Sequence, residues 1–366
     1  MTLDKIPTLE QIKRLPKAVL HDHLDGGLRP QTVIDLAKEI QYTGLPFYDA
    51  EELGKWFFEA CNSGSLPRYL ETFDHTIAVM QTHSALVRVA REAALDLARD
   101  GVVYAEVRGA PELFTRGAMD LDQVIQATTE GFALGMAAAK AEGYSIRVEQ
   151  ILVALRQNDW SDEVARKVVE YRDRHVVGFD IAGPEDGFPA KDYISAFDYL
   201  RAQNAHFTIH AGEAYGPASI WQAIQICGAE RLGHGVRIVE DIDFTLEPPK
   251  LGLLAAYVRD RRIPLELCPT SNLQTGAVHD YASHPIGALE KLRFRITINT
   301  DNRLMSGTSM SEEMAHVVAA FEWTFLDLQR VTVNALKSAF IPFDERLKII
   351  EDLVKPAYLS ISEEQN

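Results

Sequence analysis

The strongest constraint on this chain is a pattern that recurs along its length: a short β-branched run, a polar loop, then a stretch with apolar residues three or four apart. The runs are AVLHDH (18–23), VVYAEV (102–107), RVEQILVA (147–154), VVGFDIA (176–182), HFTIHA (206–211), RLGHG (231–235), PLELCP (264–269) and RITINT (295–300). From the second onward their starts lie 25 to 45 residues apart, the length of a parallel crossover through a helix. In 85–100, Leu86, Val89, Ala90, Ala93 and Leu97 form one apolar stripe and Gly101 supplies the stop. Asp120 is predicted to cap a helix ending near Gly143, and Ser161 one reaching Arg174; a further helix runs from Pro217 to Gly228. No Pro/Gly/Ser-rich linker divides the chain, so the eight units predict one α/β domain over 1–366, a (β/α)8 TIM barrel.

The first crossover breaks the rhythm. Residues 24–100 leave room for several helices between the first two strands. An insertion after a strand's carboxyl end projects over the barrel mouth, so the region around 66–73 is expected to belong to a helical lid. Spacing alone is equally compatible with a plain surface excursion.

Charge and cysteine content narrow the partners. With 53 acidic against 37 basic residues the net charge is −16, a surface that repels nucleic acid and anionic membranes and favours an uncharged small substrate. Cys61, Cys227 and Cys268 form no CxxC pair, which fits a reducing compartment. The first residues carry charges where a signal peptide needs an apolar core, and LGLLAAYV (251–258) is too short to cross a bilayer. A soluble, cytoplasmic protein is expected; its oligomeric state is open, homo-oligomers included.

Chemistry gathers where these strands end. In a strand, residues two apart share a face, so His21 and His23 of HDH project together toward the barrel axis. One buried histidine is ordinarily a hydrogen-bonded core residue; two on one inward face at a strand end suit a metal. His210 of HAGE ends the fifth strand, and Glu213 follows in its loop, where a general acid/base would stand unless it merely caps the next helix. His234 lies between Gly233 and Gly235 at the end of the sixth, and Asp301 of NTD follows the eighth. Taken singly, His234 reads as a turn residue and Asp301 as a helix cap. Jointly they stand at the carboxyl ends of strands one, five, six and eight, the rim where barrels of this kind carry their active sites. Three imidazoles and one carboxylate would hold one Zn²⁺ with a position left for water. The fourth strand has no lysine before Lys191, which argues against a second, bridged metal.

The ordered set LHDHLDGGLRP (20–30), DIAGPE (180–185), HAGE (210–213), ERLGHG (230–235), LELCPTSN (265–272), NTD (299–301) and NALKSAFIP (334–342) resembles the adenosine deaminase family across nearly the whole chain. The resemblance implies zinc-dependent hydrolytic deamination of adenosine and 2′-deoxyadenosine in purine salvage. His21, His23, His210 and Asp301 would bind Zn²⁺. His234 would orient or deprotonate the attacking water and hold the developing oxyanion, while Glu213 protonates purine N1. It further implies that Asp25 meets the ribose 5′-hydroxyl, that the Gly183 N–H meets the purine edge, and that Leu66, Pro67, Tyr69, Leu70 and Phe73 form an apolar gate. Asn302 departs from the family, which carries aspartate there against purine N7; an amide donates at any pH and keeps the contact. The rival readings are a deaminase of another 6-aminopurine (adenine or a 5′-modified adenosine), a non-catalytic nucleoside-binding barrel, and a metal-dependent ester or lactone hydrolase. The presence of every chemical residue speaks against decay, and Glu213 with the missing fourth-strand lysine against the last.

Overall fold

The structure is a computed structural model that describes residues 2–62 and 66–364; the side chains of 2, 66–68, 70 and 71 lie outside the description. Eight parallel strands appear in the expected order: β1 (Lys17–His23), β2 (Val102–Gly109), β3 (Arg147–Leu155), β4 (Val176–Ala182), β5 (Thr208–Ala211), β6 (Arg231–His234), β7 (Leu265–Leu267) and β8 (Ile296–Ile298). They form two four-stranded arcs, β1-β2-β3-β4 and β5-β6-β7-β8. Parallel bridges join the arcs at Phe179 with Phe207 and at Asp22 with Asp301, so the sheet closes on itself. The later strands are shorter than their apolar runs, because the chain turns as soon as each has delivered its end residue to the rim. An antiparallel pair, Ile242–Asp243 with Lys250–Leu251, was not expected from the pattern.

Helices cover the sheet as the periodicity requires. Thr82 caps His83–Arg99, and Asp120 with Gln123 forms a capping box for Leu121–Ala141. These two helices cross closely because of two glycines. A Cβ at Gly131 would lie 2.6 Å from the Val87 carbonyl oxygen, and one at Gly135 2.5 Å from that of Arg91. Ser161 is not a cap: the helix Ser161–Tyr171 begins on it, its flanking residue is Trp160, and no side chain caps it. The helix from Pro217 passes at Gln222–Ile226 into a π-helical turn before Gly228 ends it at φ +81°.

The long first crossover holds four helices, Pro30–Glu39, Ala50–Cys61, Leu66–Val79 and His83–Arg99. The third is tied to the barrel mouth, where the Asn302 amide donates to the Tyr69 hydroxyl at 3.1 Å. The apolar core lies between sheet and helices, while the barrel interior carries a buried ionic layer. Arg108 donates to Asp180 (2.6 Å) and Glu266 (2.8 Å); Arg231 pairs with Glu266 (2.7 Å) and Glu106 (2.6 Å).

Gly135→Ala tests the helix crossing. Alanine gains about 1 kcal/mol of helix propensity, but overpacking costs about 1–3 kcal/mol, so the melting temperature should fall. A rise would mean that the helices separate at no cost.

Candidate active site at the carboxyl ends of the strands

Period two in β1 brings His21 and His23 to the same inward face, and the ends of β5 and β8 bring His210 and Asp301 to meet them. One donor atom from each lies within 4.8 Å of the others. The Asp301 Oδ1 stands 3.3 Å from His21 Nε2 and 3.4 Å from His23 Nε2, and the Nε2 atoms of His23 and His210 are 3.3 Å apart. Gly233 makes this convergence feasible, since a Cβ there would sit 3.1 Å from His210 Cα and 3.3 Å from His21 Cε1.

The donor set fits a metal. Buried His21 Nε2 has no hydrogen-bond partner, the mark of a nitrogen reserved for something else. The far side of two rings is held by carboxylates: His21 Nδ1 lies 3.0 Å from Glu266, and His210 Nδ1 2.8 Å from Asp180. Such partners orient metal-binding imidazoles and raise their basicity. Burial lowers the pKa of His21 and His23, which favours the neutral form a metal needs. At His210 burial works the same way, but Asp180 outweighs it and raises the pKa; a metal would displace that proton. Burial alone would raise Asp301, yet His21, 3.3 Å away, and the other imidazoles around it hold it ionised. Cys268 also neighbours Asp301, but burial pushes its thiol well up, so it remains protonated.

Two site residues hold left-handed backbones that side chains rarely adopt: His234 at φ +62° and Asp301 at φ +56°. Asp301 is held by its peptide, which accepts from His23 N–H (2.7 Å) and donates to the His21 carbonyl (2.9 Å); Ser271 donates to its Oδ2 at 2.6 Å. Glu213 Oε2 lies 3.4 Å from His234 Nε2. Its loop is fastened by Glu185, whose carboxylate accepts the N–H groups of Gly212, Glu213 and Ala214 at 3.0, 2.9 and 3.0 Å. Burial raises the pKa of Glu213 against the opposing pull of His234.

A chain of hydrogen bonds assigns the proton of His234. Ile286 N–H donates to His284 Nδ1 (3.0 Å), which leaves the His284 proton on Nε2, 3.3 Å from Asn272 Oδ1. The Asn272 amide then donates to His234 Nδ1 at 3.2 Å. Neutral His234 therefore carries its hydrogen on Nε2, facing Glu213 and the cavity. Burial lowers the His284 pKa to about 4, which keeps His284 neutral at neutral pH.

The remaining expected residues surround this centre. Asp25 is buried, its Oδ1 has no hydrogen-bond partner among the described residues, and burial raises its pKa to about 6. Gly183 turns at φ +96°, where a Cβ would meet Gln157 Oε1 at 2.5 Å. Asn302 Oδ1 is buried without a partner, while its amide donates to Tyr69, whose ring packs on Phe73 with centroids 5.7 Å apart. The backbones of Leu66, Pro67 and Leu70 belong to the same helix; their side chains lie outside the described residues. Sequence reasoning assigned no role to Asp180, Glu185, Glu266, Ser271, Asn272 or His284. Asp180 and Glu266 were detectable as charged residues inside apolar strands, and Glu185, Ser271 and Asn272 sat unassigned in the quoted motifs.

Comparison with known proteins agrees with this geometry. The family described as Adenosine deaminase matches residues 16–356. Adenosine deaminase 1 of Streptomyces coelicolor is 58% identical, covering 99% of this chain and 92% of its own. The adenosine deaminase of Mycolicibacterium gilvum is also 58% identical, covering 96% of this chain and 97% of its own. The crystal structure of the Arabidopsis N6-mAMP deaminase superposes with a TM-score of 0.79 at 24% identity, over 96% of this chain and 99% of its own, a likeness of fold.

His284→Leu tests the proton relay: the protein should keep its metal content while kcat falls about 10- to 100-fold, as displaced supporting groups do. An unchanged kcat would show that His234 holds its tautomer without the relay. Metal removal by a chelator should lower the melting temperature, by the equivalent of about 2.7 kcal/mol relative to protein with free metal at a hundred times its Kd.

Proposed function

This chain belongs to the adenosine deaminase family, and we propose that it uses one Zn²⁺ to hydrolyse the 6-amino group of adenosine and 2′-deoxyadenosine, yielding ammonia and inosine or 2′-deoxyinosine. The observation that carries the reading is Glu213, a buried carboxyl with a raised pKa, set beside His234 and the three-histidine, one-aspartate cluster. His21, His23, His210 and Asp301 would hold the metal. The chemistry supplied by bound Zn²⁺ is acidification of water to a pKa of about 7. Deamination at a purine C6 by this means is shared with the zinc deaminases that act on bases.

The chain's own groups supply the proton transfers. Glu213, whose protonated form burial favours, donates to purine N1 and so drains electron density from C6, where the nucleophile adds. His234 directs its Nε2–H at the oxygen that develops charge as C6 becomes tetrahedral. Glu213, then ionised, takes the proton from the oxygen added to C6 and passes it to the amine, so that the C6–N bond breaks as the C6 carbonyl forms. Glu213 regains its own proton from the one that water gave up on forming the nucleophile. The Gly183 N–H meets the purine edge and the Asn302 amide meets N7 after leaving Tyr69. Tyr69 and Phe73 close over the base.

Asp25 selects the sugar. Its unpartnered Oδ1 accepts a 5′-hydroxyl, whereas a 5′-phosphate would bring a second negative charge into a buried position. Free adenine would leave the acceptor unsatisfied. Asn302 is the one departure that bears on substrate choice, and a panel of 6-aminopurines measured by loss of their ultraviolet chromophore decides it. Every residue of the site comes from one chain, so homo-oligomer formation is not needed to complete it. Among the described residues no helix is long and apolar enough to cross a membrane, and three free, buried cysteines support a cytoplasmic setting.

Glu213→Gln should retain zinc and lose about 10²- to 10⁴-fold in kcat; normal turnover would refute the proton-transfer role. The donating form of Glu213 exists below its raised pKa, so kcat/KM should decline as pH rises through that value. Asp25→Ala should raise KM for adenosine far more than for adenine. An equal effect on both would remove Asp25 from the ribose.

A further inference from the structure

At the amino end of the barrel, opposite the catalytic rim, lies a cavity of about 520 Å³. It opens at the starts of β6, β7 and β8, beside the end of the helix Phe325–Ser338. Five cations line it: Arg261, Arg262, Arg295, Lys337 and Arg346. Among the described residues none of the five has an ion-pair partner. The carboxylate in the wall, Glu230, is turned to His206 at 2.9 Å. Arg231, at the inner wall, is already paired with Glu106 and Glu266. Arg262 and Arg346 donate to backbone carbonyls, those of Arg293 and Lys337, and the Arg346 guanidinium also lies over the Phe343 ring. The Nε atoms of Arg295 and Arg346 are buried with no hydrogen-bond partner.

This arrangement is unfavourable as it stands. Like charges gathered without ion-pair partners repel one another, and unmet buried donors are unfavourable. Burial, with Arg262 and Arg346 nearby, depresses the Arg295 pKa. On a chain with 16 more acidic than basic residues, carboxylates were plentiful enough to neutralise such a cluster. A ligand that brings several negative charges resolves both penalties. The volume exceeds what one phosphate fills and falls in the range of small-molecule sites. Tyr257 and the His206–Phe340 ring stack (centroids 5.0 Å apart) give the wall an aromatic side.

We propose that this cavity is a binding site for a linear polyphosphate, free or carried on a nucleoside. It is separate from the deaminase centre, because the Arg231–Glu266 pair stands between the cavity and His21. The site therefore stands or falls independently of the catalytic reading.

The test is calorimetric titration of the metal-loaded protein at low salt with inorganic tripolyphosphate and, separately, with ATP. One saturable site per chain is expected. Arg295→Gln and Arg346→Gln should each weaken it about tenfold, the loss of one charge-assisted contact. Arg166→Gln, on the outer face of another helix, should leave it unchanged. Tighter binding of ATP would identify a nucleotide as the ligand, and equal binding the phosphate chain alone. Metal content after titration and adenosine turnover of each variant separate this from zinc stripping and misfolding; exposed Arg261→Gln serves if a buried variant fails to fold. No saturable binding, or binding indifferent to Arg295, Arg346 and Arg261, would overturn the proposal.

Discussion

The peptide of Asp301 joins the last strand of the barrel to the first. Its carbonyl accepts from His23 and its N–H donates to the His21 carbonyl, while its carboxylate stands against both imidazoles. Closure of the sheet and assembly of the three-histidine, one-aspartate cluster are thus one event. The left-handed backbone of Asp301 is strained in isolation, and these two hydrogen bonds hold it. The entropy of bringing chain ends together across the whole barrel is met once, by packing of eight strands and their helices. The site then inherits its geometry from the scaffold.

Beneath that seam lies a charge problem that the fold solves only in part. Arg108 and Arg231 face three carboxylates, Glu106, Asp180 and Glu266. Burial would raise Glu266, but the two arginines hold it well below the usual range. The surplus negative charge is directed through Glu266 to His21 and through Asp180 to His210. Buried ion pairs seldom add net stability; here they prepare an anionic floor under imidazoles that must stay unprotonated toward the cavity. A divalent cation at the cluster would complete the balance.

Much of this was legible in one dimension. The strand order, the inward pair in HDH and the rim positions of HAGE, GHG and NTD follow from period two and from strand–loop–helix spacing. Ser161 misled because a hydroxyl before an apolar stripe reads as a cap, whereas the helix begins on it after Trp160. Glu266 and Asp180 were visible as charges inside apolar strands, although nothing local says which histidine each would meet. Spacing left the place of the first crossover undecided; the bond from Asn302 to Tyr69 ties its third helix to the mouth.

The sequence by itself determined the chemical inventory, its order along the chain and the fold that could place it, because side-chain chemistry and hydrogen-bonding period are local properties. Tertiary structure decided which groups converge and what state they hold: four donors within 4.8 Å, a proton on His234 Nε2 set by His284 through Asn272, and a raised Glu213. It also decided that five cations at the opposite end face a cavity with no ion-pair partner among the described residues. Distance, desolvation and charge balance depend on neighbours far apart in the chain, and only packing brings those together.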